Sequence, residues 1–380
     1  MNSARKQLVP AYGFDDVAIA PGRITVNPEL VDLSVGIDSL CLDIPVLASA
    51  MDAVVSPAFA VKLSELGGLG VLNLDGLQTR YEDPSSIFSE IAESPKEKVT
   101  ALLQKAYTAP VKQDLIGRRV EEIKDTGARC AVSVIPANTK RHAPVAAEAG
   151  TDVLVVQSTV TTARHHSRSA RGLIFSELVK EVSIPVIVGN TVSYDVALEI
   201  MEEGVSGILV GVGPGAACTS REVLGIGVPQ VTATIDCAAA RDEYFRASGR
   251  YIPIITDGGI RTGGDVCKAV AAGADAVMLG TPFAQSKEAP GLGHNWGMAT
   301  PDASLPRGTR IAVGVKASLK QILFGPSSLT DGTMNLMGAL RVSIGMVGAQ
   351  NLREMHDADL VLAPSIKTEG KLFQHADTGS

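Results

Sequence analysis

Short runs of apolar residues, rich in β-branched side chains, recur along the chain, and each is bounded by Gly, Pro or Asp. The runs are continuous rather than alternating, which is typical of strands buried on both faces of a parallel sheet. The pattern predicts eight strands, at residues 44–49, 69–74, 130–135, 153–157, 185–189, 207–211, 252–257 and 276–280.

A helix-like stretch that ends in glycine lies between most of these runs. The glycines have the position of helix C-caps, and a strand follows each within a few residues. They are Gly68, Gly127, Gly150, Gly204 and Gly273. Eight strand–helix units close naturally into a (β/α)8 TIM barrel, because their crossovers are right-handed. An open, doubly wound sheet is the main competitor, but no GxGxxG follows the first strand, which favours the barrel.

Two stretches interrupt the rhythm of strands and helices. Residues 76–125 separate the second and third strands and contain charged, helical pieces, whereas residues 282–332 follow the eighth strand and are rich in Gly, Pro, Ser and Asp. Because long loops after barrel strands lie at the catalytic face, we predict that 282–332 is an active-site lid. We expect residues 1–380 to form one barrel domain, with a flexible tail over 371–380.

Composition narrows the class of protein. The 380 residues suit one barrel with insertions, and 45% apolar but only 4% aromatic residues predict an aliphatic core. A net charge of −7 argues against nucleic-acid binding, and there is no basic amphipathic stretch for a membrane surface. No apolar run is long enough to span a bilayer, and the N-terminus has no apolar signal core. We therefore expect a cytoplasmic protein.

The five cysteines are scattered and have no CxxC spacing; they are Cys41, Cys130, Cys218, Cys237 and Cys267. This argues against a disulfide framework and against structural zinc. Neither HExxH nor paired histidine spacing indicates a catalytic metal. We expect most of these cysteines to be small buried hydrophobic residues, and one to be a nucleophile.

The most informative stretch is GVGPGAACTSREVLGIGV, at residues 211–228, directly after the sixth strand. Its glycines require an irregular backbone that can approach a ligand or turn carbonyls toward a cation. Cys218 lies on this loop, with Thr219 and Ser220 beside it. A thiol at the carboxyl end of a barrel strand is placed to attack a substrate, although a buried cysteine in a glycine-rich turn is the plainer alternative.

Other strand ends also carry candidate ligand-binding residues. Asp257, Gly258 and Gly259 end the seventh strand, and Gly280 and Thr281 end the eighth. The loops after these two strands form the usual phosphate site of the barrel fold, and the aspartate is suited to accept hydrogen bonds from ribose hydroxyls. Further polar or adaptable side chains at strand ends are Ser49, Met51 and Asn190.

The order of these motifs resembles the barrel of the IMP dehydrogenases and GMP reductases, from about residue 10 to residue 355. The matching segments are YGFDDVAIAPGR, LASAMDAV, GGLGVL, VGN, the Cys218 loop, TDGGIRTGGDVCKAVAAGADAVMLGTPFA and MGALRVSIGMVGAQNLREM. The GPGxxCT loop followed by DGGI and MxG is highly specific to that family.

The resemblance implies a role for each motif. Cys218 would add to purine C2 and form a covalent enzyme–nucleotide adduct. The substrate-binding set would be Ser49, Met51, Asn190, Asp257, Gly258, Gly259, Gly280, Thr281, Trp296, Gly297, Met298, Arg307 and Gly308. The nicotinamide cofactor would contact Gln157, Ser158, Thr159, Gly211 and Gly213. A potassium ion would be bound by the carbonyls of Gly213, Gly215 and Cys218.

Departures from the family pattern decide between its two activities. Residues 76–125 are too few for the pair of CBS modules that dehydrogenases usually carry, and no Arg-Tyr pair occurs between Met298 and Arg307 to activate water. Reductase features are also altered, since Ser220 replaces a Thr, Arg307 stands where a Glu is expected, and Ala216 replaces a phosphate-binding Ser. The chain therefore resembles a divergent branch that combines traits of both enzymes.

These features favour an NADPH-dependent GMP reductase that converts GMP to IMP and ammonia. One alternative is an IMP dehydrogenase that oxidises IMP to XMP with NAD. Another is a catalytically weak purine-nucleotide-binding regulatory protein, and a phosphate-binding flavin barrel is a more remote one. By the same resemblance, the expected partners are GMP and IMP as small-molecule ligands and further copies of the chain, in a tetramer or octamer.

Overall fold

A computed structural model of the chain describes residues 7–165, 172–297 and 308–363. The strands within these ranges are β1 (Val17–Ile19), β2 (Val35–Ile37), β3 (Leu40–Leu42), β4 (Val46–Ala48), β5 (Leu69–Asn73), β6 (Ala131–Val134), β7 (Val153–Gln157), β8 (Val186–Thr191), β9 (Gly207–Val210), β10 (Ile254–Asp257), β11 (Ala276–Leu279), β12 (His294–Gly297), β13 (Thr309–Ala312) and β14 (Leu360–Leu362).

The helices in the same ranges are α1 (Pro57–Glu65), α2 (Ser85–Glu93), α3 (Lys96–Ala106), α4 (Gln113–Lys124), α5 (Thr139–Glu148), α6 (Phe175–Val182), α7 (Tyr194–Glu202), α8 (Ser220–Leu224), α9 (Gln230–Ser248), α10 (Gly263–Ala271), α11 (Thr281–Ala284), α12 (Leu319–Phe324), α13 (Leu336–Met346) and α14 (Leu352–Met355).

Strands β4 to β11 form a closed parallel barrel, and the eight predicted strands and the (β/α)8 fold are confirmed. The barrel closes where β4 pairs with β11, with Val46 opposite Val277. Every residue of β8 and β9 is buried, as the continuous apolar runs predict. Around the barrel, α7 packs on α9 and α10 on α13. Small side chains such as Ala233 and Ala240 lie on the buried face of α9.

The predicted glycine C-caps are confirmed at Gly127, Gly150, Gly204 and Gly273, which all have positive φ. The prediction is wrong for Gly68. Helix α1 ends at Glu65, and the left-handed residue is Gly67, with φ of +87°. Gly68 is required for close packing instead, because a Cβ there would lie 3.0 Å from the carbonyl oxygen of Val46.

The two stretches that interrupt the strand–helix rhythm pack against each other. Residues 76–125 form α2, α3 and α4, and helix α3 contacts β13 of the β12–β13 hairpin. Trp296 of β12 is fully buried, with its ring 5.7 Å from that of Phe88. Arg310 of β13 donates hydrogen bonds to the carbonyls of Ile91 and Ala92 at the end of α2. We call this the satellite core; its buried members are Ala53, Leu77, Phe88, Ile91, Val99, Leu103, Ala106, Tyr107 and Trp296.

The N-terminal segment joins both the far end of the described chain and the base of the barrel. Strand β1 pairs antiparallel with β14. The β2–β3 hairpin lies at the N-terminal ends of the barrel strands, where Ser206, just before β9, donates a hydrogen bond to Asp38 at 2.9 Å. This hairpin leaves the opposite end of the barrel, where the candidate residues lie, for ligands. Among the described helices, none combines the length and apolarity needed to cross a membrane.

Candidate active site

The Cys218 loop follows β9 at the carboxyl end of the barrel. The Cys218 amide donates a hydrogen bond to the Gly215 carbonyl at 3.0 Å, which closes a tight turn around the thiol. The Cys218 side chain is partly exposed, and its Sγ donates to the Ser220 Oγ at 3.3 Å. Ser220 is fully buried at the first turn of α8. The loop therefore presents a reachable thiol whose hydrogen is directed at a fixed hydroxyl.

The remaining cysteines lack this combination of exposure and position. Cys130, Cys237 and Cys267 are buried, as the sequence predicted for most of the set, and burial raises the pKa of the Cys130 and Cys267 thiols to about 11. A thiol with so high a pKa forms little of the reactive thiolate near neutral pH. Cys41 is exposed, but it lies on β3, at the opposite end of the barrel. Cys218 is therefore the best-placed nucleophile among the five.

The loop after β10 packs directly on the Cys218 loop. Gly258 and Gly259 both have positive φ, and Cβ atoms on them would lie 3.2 and 3.1 Å from the ring of Pro214. Gly211 has a φ of +149°, and a Cβ there would lie 2.1 Å from the carbonyl oxygen of Asp257. Only glycine permits this approach, so the Cys218 loop and the Asp257 loop form one surface.

Asp257 is the centre of a polar cluster over the barrel mouth. Gln157 and Asn190 both donate to its Oδ2, at 2.9 and 2.8 Å, and Gln157 also donates to the Asn190 carbonyl oxygen at 3.0 Å. Burial raises the pKa of the Asp257 carboxyl to about 6, although the two amide hydrogen bonds act to lower it. The carboxyl group can thus change charge just below neutral pH.

A third side of the site is built from residues distant in sequence. The amide of Ser49, after β4, donates to the carbonyl of Leu279 at 2.9 Å. A Cβ on Gly280 would lie 3.4 Å from the Ser49 Oγ and 3.5 Å from the Met51 Sδ. A Cβ on Gly297, at the end of β12, would likewise lie 3.5 Å from the Met51 Cε. Thr281 follows Gly280 as the first residue of α11. The structure thus brings these predicted residues together around Met51.

The side chain of Trp296, a predicted substrate-binding residue, is fully buried. The indole lies in the satellite core, so only the backbone at the end of β12 is beside Met51. Of the predicted lid residues, Met298 and Arg307 lie outside the described residues, and the carbonyl of Gly308 accepts a hydrogen bond from Thr100 at 3.3 Å. The lid over 282–332 stays a prediction; its described parts include β12, β13 and α12.

The predicted cofactor residues follow β7 directly. Both amide hydrogens of Gln157 are directed at Asn190 and Asp257, and the Ser158 hydroxyl donates to the Val160 carbonyl at 2.8 Å. The Gln157 Oε1 accepts no hydrogen bond from the described residues, so it is free to face a ligand. Thr159 continues this loop. The carbonyl oxygen of Gln157 and the backbone of this loop are therefore the groups left to contact a ligand on this side of the barrel mouth.

The predicted potassium ligands, Gly213, Gly215 and Cys218, lie on the Cys218 loop after β9. Gly213 has positive φ, while the Gly215 carbonyl already accepts the Cys218 amide hydrogen. A carbonyl oxygen has a second lone pair, so this turn still fits a monovalent cation. In the part of the chain that the structure describes, no group of three or more His, Cys, Asp or Glu side chains could hold a metal ion.

Two supporting groups were not identified from the sequence. Gln230 is buried at the start of α9 and donates to the Val210 carbonyl at 2.5 Å and to the Asp257 carbonyl at 3.3 Å. It therefore ties the Cys218 strand to the Asp257 strand. Asp52 is buried next to Met51 and accepts hydrogen bonds from the Leu77 amide at 2.8 Å and the Tyr107 hydroxyl at 2.5 Å. A polar residue inside an apolar run was the available signal for Asp52.

Comparison with known proteins identifies the family to which the chain is similar. The model of the IMP dehydrogenase / GMP reductase domain matches residues 11–370. An uncharacterized oxidoreductase of Mycobacterium leprae is 42% identical over 93% of this chain and 96% of its own length. The inosine-5'-monophosphate dehydrogenase of Cryptosporidium parvum is 33% identical over 75% of this chain and 71% of its own length.

A solved structure has the same architecture. The crystal structure of an IMP dehydrogenase/GMP reductase-like protein from Corynebacterium glutamicum matches with a TM-score of 0.89 and 34% identity, covering 95% of this chain and 96% of that one. The family match, the relatives and this fold agree with the motif order read from the sequence. The chain therefore belongs to the IMP dehydrogenase/GMP reductase family of oxidoreductases.

Proposed function

We propose that the protein is an NADPH-dependent GMP reductase, which deaminates GMP reductively to IMP and ammonia through a covalent bond between Cys218 and purine C2. The observation that carries the proposal is the Cys218 thiol, partly exposed and paired with Ser220, on a loop packed against Asp257. The second support is the missing Arg-Tyr pair between Met298 and Arg307, because a dehydrogenase needs a group there that activates water.

In this reaction Cys218 divides one difficult substitution into two steps. Its Sγ bonds to C2, and the exocyclic amine takes up a proton and leaves as ammonia. A nicotinamide cofactor held beside Gln157 would supply the hydride that C2 takes up, after which the C2–S bond to Cys218 breaks and IMP is released. The Ser220 hydroxyl accepts the hydrogen of Cys218 and is therefore the nearest described group to pass a proton toward the departing amine.

The other groups at the barrel mouth position the substrate. Asp257 would accept hydrogen bonds from ribose hydroxyls, while the loops at Gly258–Gly259 and Gly280–Thr281 would hold the phosphate. Gln157 Oε1 and the backbone of the following loop would hold the cofactor, and the turn at Gly213–Cys218 would hold potassium. The choice of NADPH rests on the reductase analogy.

A paired assay tests the proposal. With GMP and NADPH, the purified protein should oxidise the cofactor and release ammonia, and with IMP and NAD it should form no NADH. Cys218→Ala should abolish turnover and still bind nucleotide in calorimetry. Cys41→Ala is the matched control, since this exposed thiol lies on β3 away from the site, and its activity should equal that of the wild type.

An IMP dehydrogenase is the second candidate, and the similarity to the Cryptosporidium parvum dehydrogenase favours it. NADH formation with IMP, combined with no oxidation of NADPH by GMP, would replace the reductase by this alternative. Nucleotide binding without turnover in either assay would indicate the regulatory, catalytically weak protein.

A further inference from the structure

Two neutral amides converge on one oxygen of the Asp257 carboxylate. Gln157 at the end of β7 and Asn190 in β8 both donate to Oδ2, within 2.9 Å. The Asn190 carbonyl oxygen accepts the second hydrogen of Gln157, which fixes the orientation of both amides. No hydrogen bond from the described residues reaches the other carboxylate oxygen, Oδ1. Two amides thus hold the Asp257 carboxylate by Oδ2, and Oδ1 is left to accept a hydrogen bond from a ligand.

The loop that carries Gln157 is locked to β8 as well. The Ser158 amide donates to the Gly189 carbonyl at 2.9 Å, and the Asn190 amide donates to the Ser158 carbonyl at 3.1 Å. Thr161 adds a hydrogen bond from its hydroxyl to the Gly189 carbonyl at 2.6 Å. These contacts place the Gln157 amide at Asp257 without help from a ligand.

We propose that Gln157 is a positioning residue for Asp257, which directs the free Oδ1 at the ribose hydroxyls of the nucleotide and keeps the carboxyl group ionised for binding. The inference rests on the proposed nucleotide site and assigns to Gln157 a task on the substrate side, whereas the family resemblance implies a role on the cofactor side. A neutral donor suits this task, because an acidic side chain at the same place would repel the carboxylate.

The ionisation of Asp257 makes the role measurable. Burial raises its pKa to about 6, and the amides of Asn190 and Gln157 act in the opposite direction. No charged side chain is among the groups that shift this pKa; the polar group on the remaining neighbouring element, Gln230 of α9, contacts only the Asp257 backbone carbonyl. Below the pKa the carboxyl group is protonated and loses acceptor capacity, so nucleotide binding should weaken as the pH falls.

Substituting Gln157 should move this transition to higher pH. Gln157→Leu removes one of the two amide donors, so the pKa of Asp257 should rise by about one unit. Gln157→Glu keeps the shape and adds a like charge, so the rise should be larger. For Gln157→Leu, GMP affinity should be up to about tenfold weaker near pH 6 and should approach the wild-type value above about pH 8, whereas for Gln157→Glu the loss near pH 6 should be larger and the recovery should come at higher pH.

The experiment is calorimetric titration of the whole protein with GMP, without cofactor, between about pH 5 and about pH 8.5. The phosphate of GMP also titrates near pH 6, so the Asp257→Asn variant supplies the profile that belongs to the ligand alone. Thr161→Val is the control, because it removes a hydrogen bond that holds the same loop but does not reach Asp257. It should lower affinity evenly, if at all, without moving the midpoint.

The outcomes separate the two proposals. A midpoint shifted upward in Gln157→Leu, and further in Gln157→Glu, supports the positioning role. An unchanged midpoint, or an even loss of affinity at every pH as in the control, overturns it. If the wild-type protein binds neither GMP nor IMP at any pH, the proposed function itself fails.

Discussion

Removing the Tyr107 hydroxyl tests how the 76–125 insertion supports the candidate active site. Tyr107 follows α3 and donates a hydrogen bond to the buried carboxylate of Asp52, beside Met51. A hydrogen bond to a buried charged group is worth roughly 1.5–3 kcal/mol, so Tyr107→Phe should lower the free energy of unfolding by about 2 kcal/mol at pH 7. The lost hydroxyl leaves the carboxylate with the backbone amides of Leu77 and Gln78 as hydrogen-bond donors.

The stability lost in Tyr107→Phe should depend on pH, and the direction of this dependence follows from the pKa of Asp52. Burial raises the pKa of this carboxyl above its ordinary value, and the Tyr107 hydrogen bond acts to lower it. The folded state therefore binds the proton more tightly than the unfolded chain, so the stability contributed by this group is present at low pH and is lost as pH rises through the folded-state pKa. Without the Tyr107 donor that pKa rises further. The difference between variant and wild type should widen toward pH 7 and narrow toward pH 4.

Tyr81→Phe is the matched control. The Tyr81 hydroxyl also belongs to the 76–125 insertion, but it donates to a neutral group within that insertion, the carbonyl of Ala106, at 2.9 Å. Tyr81→Phe should lower the free energy of unfolding by about 1 kcal/mol, equally near pH 4 and near pH 7. Urea unfolding can be followed by the fluorescence of Trp296, the one tryptophan, which lies in the satellite core with Tyr107. Equal losses in the two variants, or a Tyr107 loss that ignores pH, would refute the reasoning.

Three further predictions concern the site and its support. Trp296→Ala should lower stability by about 3–5 kcal/mol, because it empties a fully buried aromatic position, and calorimetric melting would show no such loss if the ring were dispensable. Gly211→Ala should reduce nucleotide affinity, since its Cβ would meet the Asp257 carbonyl, and unaltered binding by calorimetry would contradict this. Arg310→Met should raise the apparent KM for GMP more than Arg310→Lys does, because only the methionine leaves the carbonyls at the end of α2 without a donor. Equal KM values for the two variants would argue against this support of the site.

Strand positions were predictable because the apolar runs of a buried parallel barrel depend on local sequence alone. The same locality placed Cys218 and Asp257 at neighbouring strand ends. The cap at Gly67 rather than Gly68 is a one-residue error where two glycines follow α1. The packing of Trp296 on Phe88 could not be predicted, since it joins two insertions far apart in sequence.

The orientation of side chains at the candidate site also could not be predicted from the sequence. The sequence places Gln157 at a strand end, but it does not reveal that its amide hydrogens point to Asn190 of the neighbouring strand β8 and to Asp257 of β10, across the barrel mouth. That arrangement depends on the register of β7, β8 and β10 around the closed barrel. Family resemblance assigns such a residue to a ligand, whereas the structure adds its internal contacts.

The line along which the barrel closes runs through the predicted phosphate site. Val46 and Val277 pair across it, and just beyond them Ser49 on one side meets Gly280 on the other. These contacts join the earliest and latest barrel strands in the chain, so their formation requires closure of a very long loop and should come late in folding. A nucleotide held by both sides would slow the reopening of this line. Hydrogen exchange at β4 and β11 should therefore report ligand occupancy more strongly than exchange at β6, a strand that carries none of the predicted site residues.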